Sequence, residues 1–251
     1  MFAFIRGWAD VDRTTQVNVR LGATLAFVAG ATNAGGFLAV GQYTSHMTGW
    51  LSALADNLVL GNATLVMAAA GALLAFLAGA MTTAILVNWG LRRQLRSAYA
   101  LPLLLESAAL LVFGLFGAAI GLFAPLFLPL TVLILCFIMG LQNAVITKIS
   151  RAEIRTTHMT GLITDVGIEL GKLLYINRAG DAAPVRANRE RLRLHGLLVG
   201  CFFGGGILGA VGFKFAGFIT TVPLALLLWL LVLRPLLRDI HTHLQRFRAA
   251  P

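Results

Sequence analysis

The tetrapeptide His-Met-Thr-Gly occurs twice, as His46-Met47-Thr48-Gly49 and as His158-Met159-Thr160-Gly161. Each copy follows a hydroxyl residue (Ser45, Thr157) and opens a short stretch of mixed polarity. A Thr-Gly pair at the start of a helix marks a point where unsatisfied backbone N–H groups and a partial positive charge face whatever lies ahead of them. Two such ends opposed across one site could hold an anion or repel cations; the plainer alternative is that Ser45, Thr48, Thr157 and Thr160 cap buried helix ends. His46 and His158 immediately precede these ends. They could share a proton, bind a solute or sense pH, or tie down an irregular loop through hydrogen bonds. Two histidines without a neighbouring cysteine fall short of a metal-ligand set, so no metal and no cofactor are expected.

The surroundings of the two copies also match. Gly30, Asn33 and Ala34 align with Gly140, Asn143 and Ala144; Ser52 aligns with Thr164 and Asn57 with Glu169, the second copy needing two more loop residues. Asn33 and Asn143 lie deep in apolar stretches, where an amide either bonds across helices or lines a pathway. Asp165 and Glu169 are four apart and share a helix face, with Lys172 placed to neutralise Glu169 in an ordinary ion pair. Asp56 lies on the corresponding helix of the first copy. A charge at membrane depth costs at least ~2.5 kcal/mol on insertion scales, so these acids must be paired, wet or functional. Asp165 is the strongest candidate for a proton or cation site. Glu106, near one end of its apolar stretch, is expected to snorkel toward the headgroups.

The elements that must position these residues are membrane helices. The chain of 251 residues is 58% hydrophobic and only 12% charged, about half the charge of a soluble domain. Six stretches reach the roughly 20 residues needed to cross about 30 Å of hydrocarbon: Leu21 to Val40, Thr64 to Leu86, Leu101 to Phe123, Leu126 to Ile146, Leu194 to Phe213 and Phe215 to Val232. Thr48 to Leu60 and Thr160 to Tyr175 are shorter and carry the acids. Gly71, Ala75 and Gly79 in the second span, and Gly200 to Gly212 in the fifth, form small-residue stripes for close helix packing. These two spans are expected to cross near a symmetry axis. Cys136 and Cys201 read as packed core thiols, and Phe2, Phe4, Ile5 and Trp8 as an interfacial N-terminal segment.

Basic residues set the orientation. Arg6, Arg13 and Arg20 precede the first span; Arg92, Arg93 and Arg96 follow the second; Lys148, Arg151 and Arg155 follow the fourth. Arg178 to Arg193 precede the fifth, and Arg234 to Arg248 follow the sixth. Lys214 alone lies in an opposite connection. Six crossings with both termini cytoplasmic place every cluster inside, provided that Thr48 to Leu60 and Thr160 to Tyr175 are re-entrant half-helices surrounded by protein or a water-filled cavity. Each copy then has three crossings, an odd number, so the second copy is inverted. The expected fold is all-α integral membrane: a cytoplasmic or interfacial segment (1–20), a first repeat (21–123), an inverted second repeat (124–234) and a basic cytoplasmic tail (235–251).

Gly30 through Asn33 to Ser45-His46-Met47-Thr48-Gly49, with the partner motif His158-Met159-Thr160-Gly161, resembles the YoaK family of bacterial membrane proteins, a domain of unknown function, over roughly Leu21 to Val232. The resemblance implies the fold and a bacterial inner (plasma) membrane location, and leaves the substrate open. Gly35-Gly36 stand where the family often has an Asp, so no acid role carries over there. Three function classes remain. A transporter or channel for a small polar or anionic solute, proton-coupled if Asp165 titrates, suits paired broken helices. A scaffold or assembly protein would use the Arg178 to Arg193 loop to bind a partner or lipid. An intramembrane enzyme is disfavoured, since no nucleophile elbow and no HExxH motif are present. The expected partners are the lipid bilayer, an unidentified solute or ion and further copies of the chain. The net charge of +10 lies in short loops beside apolar spans, so it is attributed to topology and lipid rather than nucleic acid.

Overall fold

The computed structural model describes residues 8–11, 13–177 and 183–248, without the side chains at 243, 244 and 246–248. Expectations about Phe2, Phe4, Ile5, Arg6, Arg178 and the side chains of Arg246 and Arg248 lie outside the described residues. Among the described residues the chain is helical throughout: α1 (Thr15–Val40), α2 (Met47–Val59), α3 (Ala63–Arg92), α4 (Ala100–Ala119), α5 (Ala124–Ser150), α6 (Met159–Leu174), α7 (Arg189–Ala216), a 3-10 turn (Gly217–Thr220) and α8 (Thr221–Arg248). Polar side chains start three of the long helices. Thr14 accepts from the Val17 N–H, Asn62 from Leu65 and Asn188 from Arg191, each satisfying a donor that the first turn leaves orphaned. Gly41, in the left-handed region at φ 71°, turns the chain out of α1 at no steric cost.

Five stretches are long and apolar enough to cross a membrane: α1, α3, α4, α5 and Arg189–Thr242. The last has 54 residues, which as one straight helix would extend roughly 80 Å. It is broken instead at Gly217, whose φ of 60° no ordinary helix residue adopts. Beyond that turn the chain runs back along α4. Phe218 packs against Gly117, Ser107 Oγ donates to the Ala225 carbonyl at 2.9 Å, and Asp239 accepts from the Ser97 N–H at 2.9 Å and the Arg96 N–H at 3.1 Å.

The other helices pair by direction. α7 runs parallel to α1, with Phe27 against Gly205, Ala31 against Gly209 and Gly35 against Phe213. α3 runs parallel to α5, from Gly71 against Leu133 to Asn88 beside Lys148. α1 and α5 are antiparallel, Leu25 meeting Gln142 and Gly36 meeting Leu135. At the two parallel crossings a Phe-x-x-Gly sequence recurs on all four helices, at Phe27 to Gly30, Phe76 to Gly79, Phe137 to Gly140 and Phe202 to Gly205. A Cβ on Gly30 would overlap the Phe202 carbonyl oxygen, and one on Gly205 the Phe27 carbonyl; Gly140 stands in the same relation to Phe76, and Gly79 to Phe137. Each glycine thus lets a neighbouring backbone approach closely, where Cα–H···O contacts add to dispersion.

Two expectations require correction. The glycine stripes of α3 and α7 were expected to meet each other; Gly79 instead faces α5, while Gly205 and Gly209 face α1, because small residues there are matched by small residues on the first span of the other half. Glu106 does not snorkel. It is fully buried in α4 and accepts from Gln142 Nε2 at 3.0 Å, since its position faces the α1–α5 contact rather than lipid. Trp8, assigned to the interface, is also buried with Ala9 in the main core, and Arg238 pairs with Asp10 at 3.0 Å.

The burial pattern orders the helices. In their most apolar windows, α1 and α4 are each 56% buried and α3 only 22%, so α3 is a peripheral helix presenting Met67, Leu74, Leu77, Met81 and Ile85 outward. Gly140→Ala should force α3 and α5 apart and lower the unfolding free energy by about 1–3 kcal/mol, read as a reduced melting temperature in detergent. Gly200→Ala, which meets open space, should melt like the parent.

Candidate functional site

Each His-Met-Thr-Gly segment is held by an asparagine, thirteen residues before His46 in one copy and fifteen before His158 in the other. Asn33 Oδ1 accepts from the Ser45 backbone N–H at 3.3 Å and from Ser45 Oγ at 3.1 Å. Asn143 Oδ1 accepts from Thr157 Oγ1 at 2.8 Å, while its Nδ2 donates to the Met139 carbonyl within α5. Both amides therefore bond to the residue immediately before the histidine, which stations the motif beside the helix that carries the asparagine. The hydroxyls of Ser45 and Thr157 are thereby committed to the asparagines, and neither His46 nor His158 makes a side-chain cap bond.

The first turns of α2 and α6 are correspondingly open. The Met47 and Met159 N–H groups bond back to Ser45 and Thr157, and those of Trp50 and Leu162 to His46 and His158. Between them, the N–H groups of Thr48, Gly49, Thr160 and Gly161 have no partner among the described residues. Both openings border one cavity of about 540 Å³, lined by Asn33, Ser45, His46 and Thr48 from the first half and by Thr157, His158, Thr160 and Gly161 from the second. Tyr43, Met47, Met159, Phe76 and Phe202 complete its wall. Such a volume suits a small molecule. Two helix N-termini and two imidazoles give it donors and partial positive charge, with no carboxylate in its lining.

A second cavity of about 800 Å³ borders the other side of the α6 start. Its charged lining is mixed, Arg151, Arg155 and Arg191 standing with Glu153, Asp165 and Glu190 beside His195, and Gly161 belongs to both cavities. His195 is buried, with Nδ1 3.6 Å from Asp165 Oδ2. The two motif histidines differ in pose. The His46 ring lies over Gly49, where an added Cβ would overlap it, whereas nothing lies within 4 Å of a Cβ built on Gly161. Partial burial, followed by the charge of Arg155, holds the His158 imidazole below the usual histidine range.

The acids are dispersed. Asp56 is exposed on α2 and lines neither cavity. Asp165 borders the second cavity and not the first. Glu169 accepts from Lys172 Nζ at 2.7 Å and from the Asn188 N–H at 2.6 Å, and these bonds, Lys172 first, hold its carboxylate below the usual range. It anchors the chain entering α7. The structure thus brings Asn33, His46, Thr48, His158 and Thr160 to one cavity, attaches Asn143 to it through Thr157, and leaves Asp56, Asp165 and Glu169 outside it. Phe76, Phe202 and His195 went unrecognised in the sequence. The first two had a signal in the repeated Phe-x-x-Gly; His195, beside an arginine-rich segment, had none.

No curated protein and no solved structure matches the chain. A family model described as "Protein of unknown function (DUF1275)" matches residues 21–233, most of the chain, and the protein belongs to that family.

Proposed function

We propose that this protein is a membrane transporter or channel for a small polar or anionic solute. The observation that carries this reading is the meeting of two His-Met-Thr-Gly helix starts, with unpaired N–H groups, at one cavity. Oriented backbone donors at helix ends are suited to anions and polar oxygens, and a cavity at the junction of broken helices is the usual place for a transported solute. Phe76 and Phe202 give it apolar walls, so the polar contacts fall on few groups.

In the proposed arrangement the chain crosses the inner membrane six times, as two inverted three-span repeats (21–123 and 124–234), with both termini and the basic tail (235–251) cytoplasmic. The run-back at Gly217, the parallel α1–α7 and α3–α5 pairs and the reciprocal Phe-x-x-Gly contacts support it. α2 and α6 are then re-entrant from opposite faces. The unequal histidine poses support a cytoplasm-facing state. His46 covers the start of α2, while the start of α6 is open to the second cavity through Gly161.

Two measurements test this. With Cys136 and Cys201 replaced by alanine, Thr160→Cys and Thr48→Cys should both react with a membrane-impermeant thiol reagent from the cytoplasmic face and much more slowly from outside. Protection of both thiols from either side sinks the transport reading and favours a scaffold. Separately, a panel of small anions (phosphate, sulfate, nitrate, formate) should contain at least one that raises the melting temperature of purified protein. Saturation at 100 times Kd contributes about 2.7 kcal/mol, and the shift should vanish in the His46→Ala, His158→Ala double variant. A flat response across the panel counts against an anionic solute.

A further inference from the structure

The most deeply buried acid among the described residues plays no part in the cavity. Glu106 has no exposed surface, and among the described residues Gln142 is its one hydrogen-bond partner. No cation pairs with it among the described residues. Of the charged groups on the helices around it, Arg20, Arg92 and Lys148 lie toward helix ends, Lys148 six residues, roughly 9 Å of helix rise, beyond Gln142; Arg234, Arg238 and Asp239 lie nine residues or more, roughly 13 Å of rise, beyond Ala225, which faces Ser107. An unpaired carboxylate in such surroundings would be among the costliest groups a fold can hold.

The hydrogen-bond pattern contains its own resolution. Gln142 Nε2 uses one hydrogen for the Leu25 carbonyl at 3.1 Å and the other for Glu106 Oε1 at 3.0 Å. The reverse amide orientation would set an oxygen against the Leu25 carbonyl, so the assignment is fixed by chemistry. Two buried acceptors are left without a donor, Glu106 Oε2 and Gln142 Oε1. They belong to the two groups already joined by the Nε2–Oε1 bond. One proton on Oε2, donated to Gln142 Oε1, would satisfy both and complete an acid–amide pair.

We propose that Glu106 is a proton-binding site in the membrane core, occupied in this conformation as a neutral acid paired with Gln142, and that it is the coupling site of the protein. The coupling half rests on the transport reading above; the protonation half does not. Release of the proton leaves a carboxylate facing the Gln142 carbonyl oxygen, a repulsion that turning the amide would only transfer to Oε1, so relief requires Glu106 or Gln142 to move out of this arrangement. Gln142 is the neighbour of Asn143 on α5, and Asn143 holds Thr157 and so the start of α6. Proton loss at Glu106 thereby strains the contact between α1 and α5 beside the staple of the second motif. This replaces Asp165, which is 42% exposed beside His195, as the group whose protonation state matters.

The test uses the full-length protein in lipid. An infrared difference spectrum at neutral pH, wild type minus Glu106→Gln, should show a protonated-carboxyl C=O band. Glu106→Gln supplies an N–H in place of the acid proton, so it should melt within a few degrees of wild type, whereas Glu106→Ala, which orphans Gln142, should melt clearly lower. An ionised-carboxylate difference band, or a Glu106→Gln protein as unstable as Glu106→Ala, overturns the site. For coupling, the labelling rate of Thr160→Cys from the cytoplasmic face should change between acidic and alkaline buffers, and Glu106→Gln should abolish that change. A pH-dependence that survives Glu106→Gln, or none in the parent, overturns coupling. Failure of Thr160→Cys to label from either face is failure of the transport reading, and the infrared band still decides whether Glu106 holds a proton.

Discussion

Close backbone approach at four glycines is the constraint on which the rest of the structure depends. Between helices surrounded by lipid, burying apolar side chains gains little, since acyl chains are as apolar as leucine. Association must come from dispersion at short range and from polar groups with no better partner. Gly30, Gly79, Gly140 and Gly205 provide the first, each placing its Cα against a phenylalanine carbonyl of the facing helix. Because the contacts are reciprocal, each crossing is fixed in register along both helices. Thr83 Oγ1, donating to the Leu141 carbonyl at 3.0 Å, adds a polar lock beside one of them.

That register determines where the motif segments fall. Asn33 lies less than one turn beyond Gly30, and Asn143 the same distance beyond Gly140. Once the crossings are set, the two asparagines are at fixed height, and their bonds to Ser45 and Thr157 bring the helix starts to one place. The phenylalanines act twice: the carbonyls of Phe76 and Phe202 receive the glycines, and both residues line the cavity. Packing and site are therefore one construction, and a change at a crossing glycine alters the cavity without touching it.

The sequence revealed the helices, the duplicated motif and the pairing of Asn33 with Asn143, because each rests on local composition or on internal repetition. It was also right that Glu169 and Lys172 pair, a consequence of spacing on one helix. It failed where a side chain's environment is set by a distant helix. Glu106 and a snorkelling acid look alike until Gln142, 36 residues later, is known to face it. The glycine stripes of α3 and α7 declared that something approaches closely, but not what. Asp165 stands out in the sequence because a charge at membrane depth must be paired, wet or functional; α6 sets it beside His195 at the edge of the second cavity.

The two halves agree in packing and differ in polarity, and the difference has a direction. Equivalent positions hold the same Asn, His, Thr and Gly, so either helix start could border the cavity on equal terms. Yet the start of α6 borders a densely charged cavity, with Arg151, Arg155, Arg191, Glu153, Asp165, Glu190 and His195 in its lining, while α2 carries the exposed Asp56 and the short-range bond from Asn57 to Ala53. If, as proposed, the two copies are inserted in opposite senses, they meet different aqueous phases, and a symmetric pair of entrances would have equal affinity for the solute on both sides. A dense charged lining on one side only distinguishes that entrance from the other. The neutral pairing of Glu106 with Gln142 is asymmetric in the same way, since Gln142 aligns with Thr32 in α1, whose hydroxyl has no hydrogen-bond partner among the described residues. On the proposed arrangement the duplicated residues shape the cavity, and the unduplicated ones give it a sense of direction.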